Sequence, residues 1–384
     1  MRGSAGPRVG LILSGGGARA AYQVGVLKAI AQMLPKDASN PFPIICGTSA
    51  GAINAAVLAI YANRFREGVK RLGLVWKNFR VHQVFRADTI GIFKSGLHWF
   101  TAMLLSGIGK YNPTALLDRT PLRRLLERYV PCEEIQESID AGAIRAVSVT
   151  ASGYRSGKSV SFYQGVPSLV PWDRARRVGE ASEITVDHLM ASSAIPFVFP
   201  AVRVGREYFS DGSVGQMAPI SPALHLGADR VLVIGVRQPT SHDAPSEDLE
   251  SYPPLAEVAG HILNSIFLQS LEADLERLQR INKTISAIPN HHLEEGGMKL
   301  RHVDALVISP SEDLGEIAQR FAHHLPRPVR FLLRGIGAHK QSGISLVSYL
   351  LFERSYCRRL IALGYADTMQ RKDEVMKFLS HEFS

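Results

Sequence analysis

Ser49 stands between two glycines in the stretch Cys46-Gly47-Thr48-Ser49-Ala50-Gly51. A serine hydroxyl becomes a nucleophile only when a base takes its proton and the charge that develops is held. The spacing Gly47-x-Ser49-x-Gly51 suits a sharp strand-to-helix turn that keeps the hydroxyl exposed in a strained conformation. Side chains at 47 or 51 would collide with the neighbouring strand or helix, because such a turn brings backbones together. A second group is Ser14-Gly15-Gly16-Gly17-Ala18-Arg19. A tight turn needs one or two glycines, whereas three in a row leave a bare backbone wall that suits a ligand. As an oxyanion hole, the N–H groups of Gly15, Gly16 and Gly17 would aim at charge developing beside Ser49, and Arg19 would add a positive charge. The run also fits Gly15-x-Gly17-x-x-Ala20, a variant of the dinucleotide fingerprint. That motif wants an acidic residue at the end of the next strand, where this chain has Cys46-Gly47-Thr48-Ser49. No Gly-Lys-Ser/Thr follows to make a phosphate loop. A third group is Asp211-Gly212-Ser213. Asp-Gly is a common turn, but here it follows a strand and offers the partner that Ser49 requires.

The elements around these groups can be read from hydropathy and breakers. Residues 8–13 and 43–46 are short apolar runs of buried-strand type. Residues 20–34 and 51–61 carry helical spacing. A strand, helix, strand order of this length implies a right-handed parallel crossover. It puts the turns after residues 13 and 46 at the same carboxyl edge, where α/β sheets hold their ligands. Further along, helices are predicted over 64–80, 121–129 and 186–194, and strands over 143–151, 159–163 and 230–236. A hairpin over 202–204 and 208–209 delivers Asp211 at its end. Residues 238–254 read as an exposed loop, 255–281 as one long helix, 303–308 as a last strand, and the tail from 316 as helical. Residues 85–110 are apolar but irregular, and suit a core helix with a capping loop or a lid beside the site.

The usual activator of a serine is a histidine, in the chain order Ser, Asp, His for an α/β-hydrolase. Ten histidines follow Asp211, none in a loop with a catalytic signature, and the His-His pairs lack the carboxylate and cysteine context of a metal site. Ser49 also follows only the second strand, earlier than an α/β-hydrolase nucleophile. A direct Ser49–Asp211 pair accounts for the pattern more simply. A Ser-His-Asp esterase stays open as an alternative.

These groups together resemble the bacterial patatin-like phospholipase family, lipid acyl hydrolases that use a Ser/Asp dyad. The resemblance rests on Ser14-Gly-Gly-Gly-Ala-Arg19, Gly47-Thr-Ser-Ala-Gly51, Ala191-Ser-Ser-Ala-Ile-Pro196 with Phe199-Pro200, and Asp211-Gly212-Ser213, in the family's order across about residues 8–225. Ala20 replaces the last glycine of the first motif, and Ser213 stands where the family more often has Gly or Ala. The resemblance implies an α/β, three-layer patatin-like fold with a mostly parallel central sheet flanked by helices, plus extra C-terminal helices. It divides the chain into a catalytic core at 8–225 and, without a clean boundary, a remainder at 226–384. It assigns Ser49 as nucleophile and Asp211 as base. Gly15, Gly16, Gly17 and Arg19 form the oxyanion and substrate-binding group, Gly47 and Gly51 the elbow, and Gly212 supports the aspartate. It implies no cofactor and no metal, and a phospholipid or other fatty-acyl ester as substrate. A patatin-like domain kept for binding lipid or nucleotide in regulation is the non-enzymatic alternative.

Composition bounds the partners. At 384 residues with 46% apolar and 21% charged residues, the chain can bury a full core. The balance of 44 basic against 35 acidic residues is a net +9, with no dense basic block interleaved with aromatics. That disfavours a nucleic-acid groove and leaves peripheral contact with a membrane as an expectation, with residues 96–109 as its apolar segment. Three cysteines without a pairing pattern suit a reducing compartment, and no apolar run approaches the ~20 residues of a membrane span. The expected location is cytoplasmic, at most peripheral to the inner face of the membrane.

Overall fold

The computed structural model describes residues 7–86, 115–238, 270–288, 301–335 and 344–380, with Val258 and His261 in addition. The 96–109 segment and nearly all of 85–110 lie outside the described residues, as does most of the first half of the helix expected over 255–281.

Ten strands form one sheet: β1 (Val9–Leu13), β2 (Ile44–Thr48), β3 (Ala146–Gly153), β4 (Ser159–Gly165), β5 (Trp172–Arg174), β6 (Arg177–Ala181), β7 (Val202–Val204), β8 (Glu207–Asp211), β9 (Arg230–Ile234) and β10 (Asp304–Ile308). The main order is β10-β9-β1-β2-β3-β4-β6-β5, with β8 on β3 and β7 on β8. The five strands from β10 to β3 are mutually parallel. Their residues are buried on both faces along most of their length, as a parallel sheet covered by helices requires. β9 and β10, from beyond residue 225, extend the sheet beside β1.

Helices cover both faces. On one lie α1 (Ala21–Met33), α2 (Ala50–Ile60) and α3 (Phe65–Asn78), against Leu11, Leu13, Ile45 and Val149. The other face, carrying Ile12, Ile44, Val231 and Val233, is covered by helices from later in the chain. α2 is rich in alanine, the best helix former, and its small side chains let it sit close to the sheet. α3 buries Phe65, Val69, Leu72 and Trp76, the i, i+4, i+7, i+11 stripe of an amphipathic helix. After the short α4 (Val81–Val84) come α5 (Thr120–Tyr129), opened by Pro121, then α6 (Glu134–Asp140) and α7 (Val186–Ser192). α8 (Ser221–His225) and α9 (Ser270–Ala287) supply Ala223 and Leu278 to the second face, which makes three layers. The tail holds α10 (Leu314–Phe321), α11 (Arg327–Gly335), α12 (Ile344–Leu350), α13 (Arg354–Gln370) and α14 (Lys372–Leu379). Among the described residues, no helix is long and apolar enough to cross a membrane.

Three features depart from the sequence expectation. β2 runs on through Gly47 to Thr48, so the turn falls on Ser49 alone. β5 and β6 form an edge hairpin whose residues are largely polar, with Arg176 at φ 59° in the turn, and so carry no apolar signature. The described part of the long helix ends at Ala287, six residues beyond the expected end at 281.

Register decides how the sheet brings the chemistry together. β2 pairs with β3 up to Thr48↔Thr150, and β8 pairs with β3 from Ala151↔Asp211. β4 occupies the opposite edge of β3 through both stretches, Thr150↔Ser161 and Ala151↔Val160. β8 must therefore lie on the β2 edge, continuing the line that β2 leaves at Thr48. The two strands run toward each other, because β8 is antiparallel to β3 and β2 is parallel to it. They meet end to end, with Ser49 closing one and Asp211 the other.

Candidate active site

The meeting point is tight. Ser49 has φ 56° and ψ −128°. A positive φ at a non-glycine residue costs roughly 1–3 kcal/mol and persists only where the surroundings over-determine it. Its N–H donates to Ser192 Oγ at 2.8 Å, and that hydroxyl in turn donates to the Thr150 carbonyl at 2.6 Å. One serine on α7 thus ties the elbow to β3. Gly51 is obligatory, since any side chain there would run into the carbonyl of Leu13. Gly212 is as constrained: a Cβ would strike the Thr150 carbonyl, where β8 leaves the sheet. Gly47 packs against Ala52 of α2 in the same way.

Asp211 is fully buried, and its N–H donates to the Ala194 carbonyl at 2.8 Å. Its Oδ1 accepts the N–H of Ser213 at 3.0 Å. Burial pushes the carboxyl up to about 6, while the Ser49 hydroxyl, Ser213 and the Arg119 charge pull it back. The Ser49 hydroxyl is thus close enough to act on the carboxylate. Yet Oδ2 is buried without a well-directed donor among the described residues. The pair is in reach but not locked in a good hydrogen bond, as is common before substrate tightens a site.

The glycine loop lies beside them at the end of β1. Gly17 has φ 53°, and a Cβ there would meet the Tyr349 carbonyl of α12. A Cβ at Gly16 would meet Val236 at 2.7 Å. Arg19 is buried, with Nε donating to Ser348 Oγ at 2.7 Å and its guanidinium 4.2 Å from the Tyr349 ring centre. The C-terminal region therefore forms one wall of the loop and holds Arg19, a role invisible in local sequence. The loop is also pinned from below. Trp76 Nε1 donates to Asn54 Oδ1, Asn54 Nδ2 to Gln23 Oε1, and Gln23 Nε2 to the Ser14 carbonyl, at 2.9, 2.9 and 2.7 Å. These three buried polar residues were missed by motif reading. Gln23 and Asn54 inside otherwise apolar helical runs were the available signal.

Ser49 and Gly17 open onto an apolar cavity of ≈ 960 Å³, counted to its open mouth. Ile53 and Val57 of α2, Leu72 and Trp76 of α3, and Leu122 and Leu126 of α5 line it. Tyr129 and Val75 are partly exposed at its rim. Among the described residues no histidine lines this cavity. His188, on α7, instead takes part in the helix cap with Thr185 and packs on Phe162.

Two further residues escaped the motif reading. Ser192 lies inside the Ala191–Pro196 box, and its position there was the only signal. Arg119 precedes α5 and lies almost wholly inside the protein, at 1% exposure. Ser192→Ala would leave the Ser49 N–H buried without an acceptor. The expected cost is about 1–3 kcal/mol of stability, with a fall in kcat at little change in KM. A melt and kcat equal to the parent's would show that the elbow does not depend on this hydroxyl.

A strained, buried serine facing a buried carboxylate on an apolar cavity is the layout of a serine hydrolase. A family model described as patatin-like phospholipase matches residues 11–224, more than half of the chain, and the chain belongs to that family. A cGAMP-activated phospholipase of Pseudomonas aeruginosa is 27% identical over 215 residues, 56% of this chain and 55% of that protein. Lysophospholipase nte1 of Aspergillus terreus is 42% identical over 78 residues, 19% of this chain and 5% of that protein. The chain thus spans about half or less of the length of these curated relatives. Among solved structures, human GIVD cytosolic phospholipase A2 aligns over 97% of this chain and 58% of its own, with TM-score 0.43 and 12% identity. The ExoU–SpcU complex of Pseudomonas aeruginosa aligns over 97% and 79%, with TM-score 0.27 and 14% identity.

Proposed function

We propose that the chain hydrolyses fatty-acyl esters through a Ser49–Asp211 dyad and an acyl-enzyme. The observation that carries this is the end-to-end meeting of Ser49 and Asp211 along β3, with Ser49 opening onto an apolar cavity. Asp211 takes the Ser49 proton as Oγ attacks the ester carbonyl carbon. The backbone N–H groups of Gly15, Gly16 and Gly17 hold the oxyanion, with the Arg19 charge behind them. The tetrahedral adduct collapses, and the alcohol leaves with the proton from Asp211. Water, deprotonated by Asp211, then attacks the acyl-enzyme. Ser49 departs with that proton and the fatty acid is released. The acyl chain lies between α2, α3 and α5, where burying each methylene contributes about 0.8 kcal/mol. The test is covalent: a fluorophosphonate probe should modify one residue, and peptide mass spectrometry should locate it at Ser49. A panel of lipid esters then identifies the head group and chain length from the products released.

Peripheral contact with an anionic membrane belongs to the same proposal, supported by the net charge of +9. Each basic residue near such a surface contributes about 1 kcal/mol. Binding to phosphatidylserine vesicles should weaken as salt is added, and salt-independent binding would remove the electrostatic part.

A further inference from the structure

Arg119 is a cation placed where cations are costly. It lies at the start of α5, and its guanidinium is inside the protein. Burial pulls its pKa down only to about 10, so it stays charged at neutral pH. Nη1 donates to the carbonyls of Met190 and Ser193 at 3.0 and 2.8 Å and to Ser193 Oγ at 3.2 Å. Nη2 donates to the Pro200 carbonyl at 3.0 Å, and the guanidinium sits 5.0 Å from the Phe199 ring centre. One planar group thus gathers the carbonyls of a bend running from residue 190 to residue 200. Lysine has no fork that could bridge them.

That bend carries both halves of the proposed chemistry. Ser192 accepts the N–H of Ser49, and the Ala194 carbonyl accepts the N–H of Asp211. The Asp211 carboxylate and the Arg119 guanidinium also act on each other electrostatically. A purely structural clamp needs no charge, and a neutral donor would avoid the desolvation cost. Among the described residues, the other groups acting on Asp211 are the Ser49 hydroxyl, in reach without a well-directed bond, the Ser213 N–H, which donates to Oδ1, and Tyr349, a phenol kept neutral by burial.

We propose that Arg119 is a positioning residue: it fixes the 190–200 bend that holds Ser49 and Asp211, and it sets a buried positive charge behind that bend. This rests on the Ser49–Asp211 reading. Removing the charge then has two separable effects. The dyad loosens, which lowers kcat. The carboxylate also ionises less readily, so the acid limb of the rate profile moves to higher pH.

The experiment compares the full-length parent with Arg119→Lys and Arg119→Met on a short-chain nitrophenyl ester, from about pH 4 to about pH 9. Each variant is first checked by thermal melt. Arg119→Lys keeps the charge and loses the fork. Its kcat should fall about tenfold or more, with KM nearly unchanged and the acid limb near that of the parent. Arg119→Met loses both. Its kcat should fall about a hundredfold, and its acid limb should move to higher pH than that of Arg119→Lys. A folded Arg119→Met with the parent's kcat and acid limb overturns the proposal. If that variant does not fold, a folded Arg119→Lys with the parent's kcat overturns it instead. Failure of the dyad itself would be seen separately, as activity surviving in Ser49→Ala or Asp211→Asn with Arg119 intact.

Discussion

Ser49→Ala is expected to lose ester hydrolysis by a factor on the order of 10⁴–10⁶ and to stop reacting with fluorophosphonates, while keeping its fold. The fold should survive because the contacts that create the elbow do not involve the hydroxyl. The Ser49 N–H to Ser192 bond, the close approach of Gly51 to Leu13 and the packing of Gly47 on α2 are all backbone features. Alanine also meets the same backbone strain at φ 56° as serine does. What is lost is the proposed nucleophile alone, and nothing else described in the cavity replaces it. Ser193 also lines the cavity, but its Oγ donates to the Leu189 carbonyl and accepts from Arg119. Steady-state turnover on a nitrophenyl ester and in-gel probe labelling measure the effect. A mutant that still labels and turns over would mean that Ser49 is not the nucleophile.

Asp211→Asn should be nearly as severe, with a loss of about 10²–10⁴-fold, the usual contribution of a general base. In the parent, activity should fall as the pH drops through about 6, because burial raises this carboxyl and only its ionised form accepts the Ser49 proton. The sign for stability is opposite. A carboxyl whose folded pKa lies above its unfolded value contributes stability that is full below about pH 4 and lost as the pH rises through about 6. Holding the charged form inside therefore costs up to about 3 kcal/mol at pH 8. Asparagine keeps the shape and the acceptor for the Ser213 N–H without the charge. Asp211→Asn should accordingly melt at or above the parent temperature at pH 8 while being nearly inactive. A much lower melting temperature, or retained activity, would contradict the assignment. Single histidine-to-alanine variants should leave activity unchanged, and a folded but dead one would restore the triad alternative.

The candidate site residues were legible because each motif is local. The two turns need glycine for reasons of close approach that hold wherever the turn occurs, and their order along β1 and β2 puts them on one edge. The buried strands were equally legible, since Val9–Leu13 and Arg230–Ile234 are continuous apolar runs. β5 and β6 were not, because an edge hairpin of polar residues has no apolar period to read. Ser192, Gln23 and Asn54 also escaped, because their value lies in partners distant in sequence: Ser49 is 143 residues before Ser192, and Asn54 is 31 residues beyond Gln23. Arg119 carries no local sign that it is buried. A residue before a Thr-Pro helix start ordinarily faces water.

The residue types and their spacing, taken alone, determined that Ser49 sits on a strained strand-to-helix turn, with a glycine loop on the same sheet edge. Turn geometry depends only on neighbours in the chain, so no fold is needed to derive it. Only the tertiary structure decided that Asp211 meets Ser49, because that depends on which edge of β3 takes β8 and at what register. It also decided that α12, some 330 residues after the glycine loop, packs its Tyr349 carbonyl on Gly17 and its Ser348 on Arg19. Such contacts are set by the stacking of whole layers, and no window of sequence contains both partners.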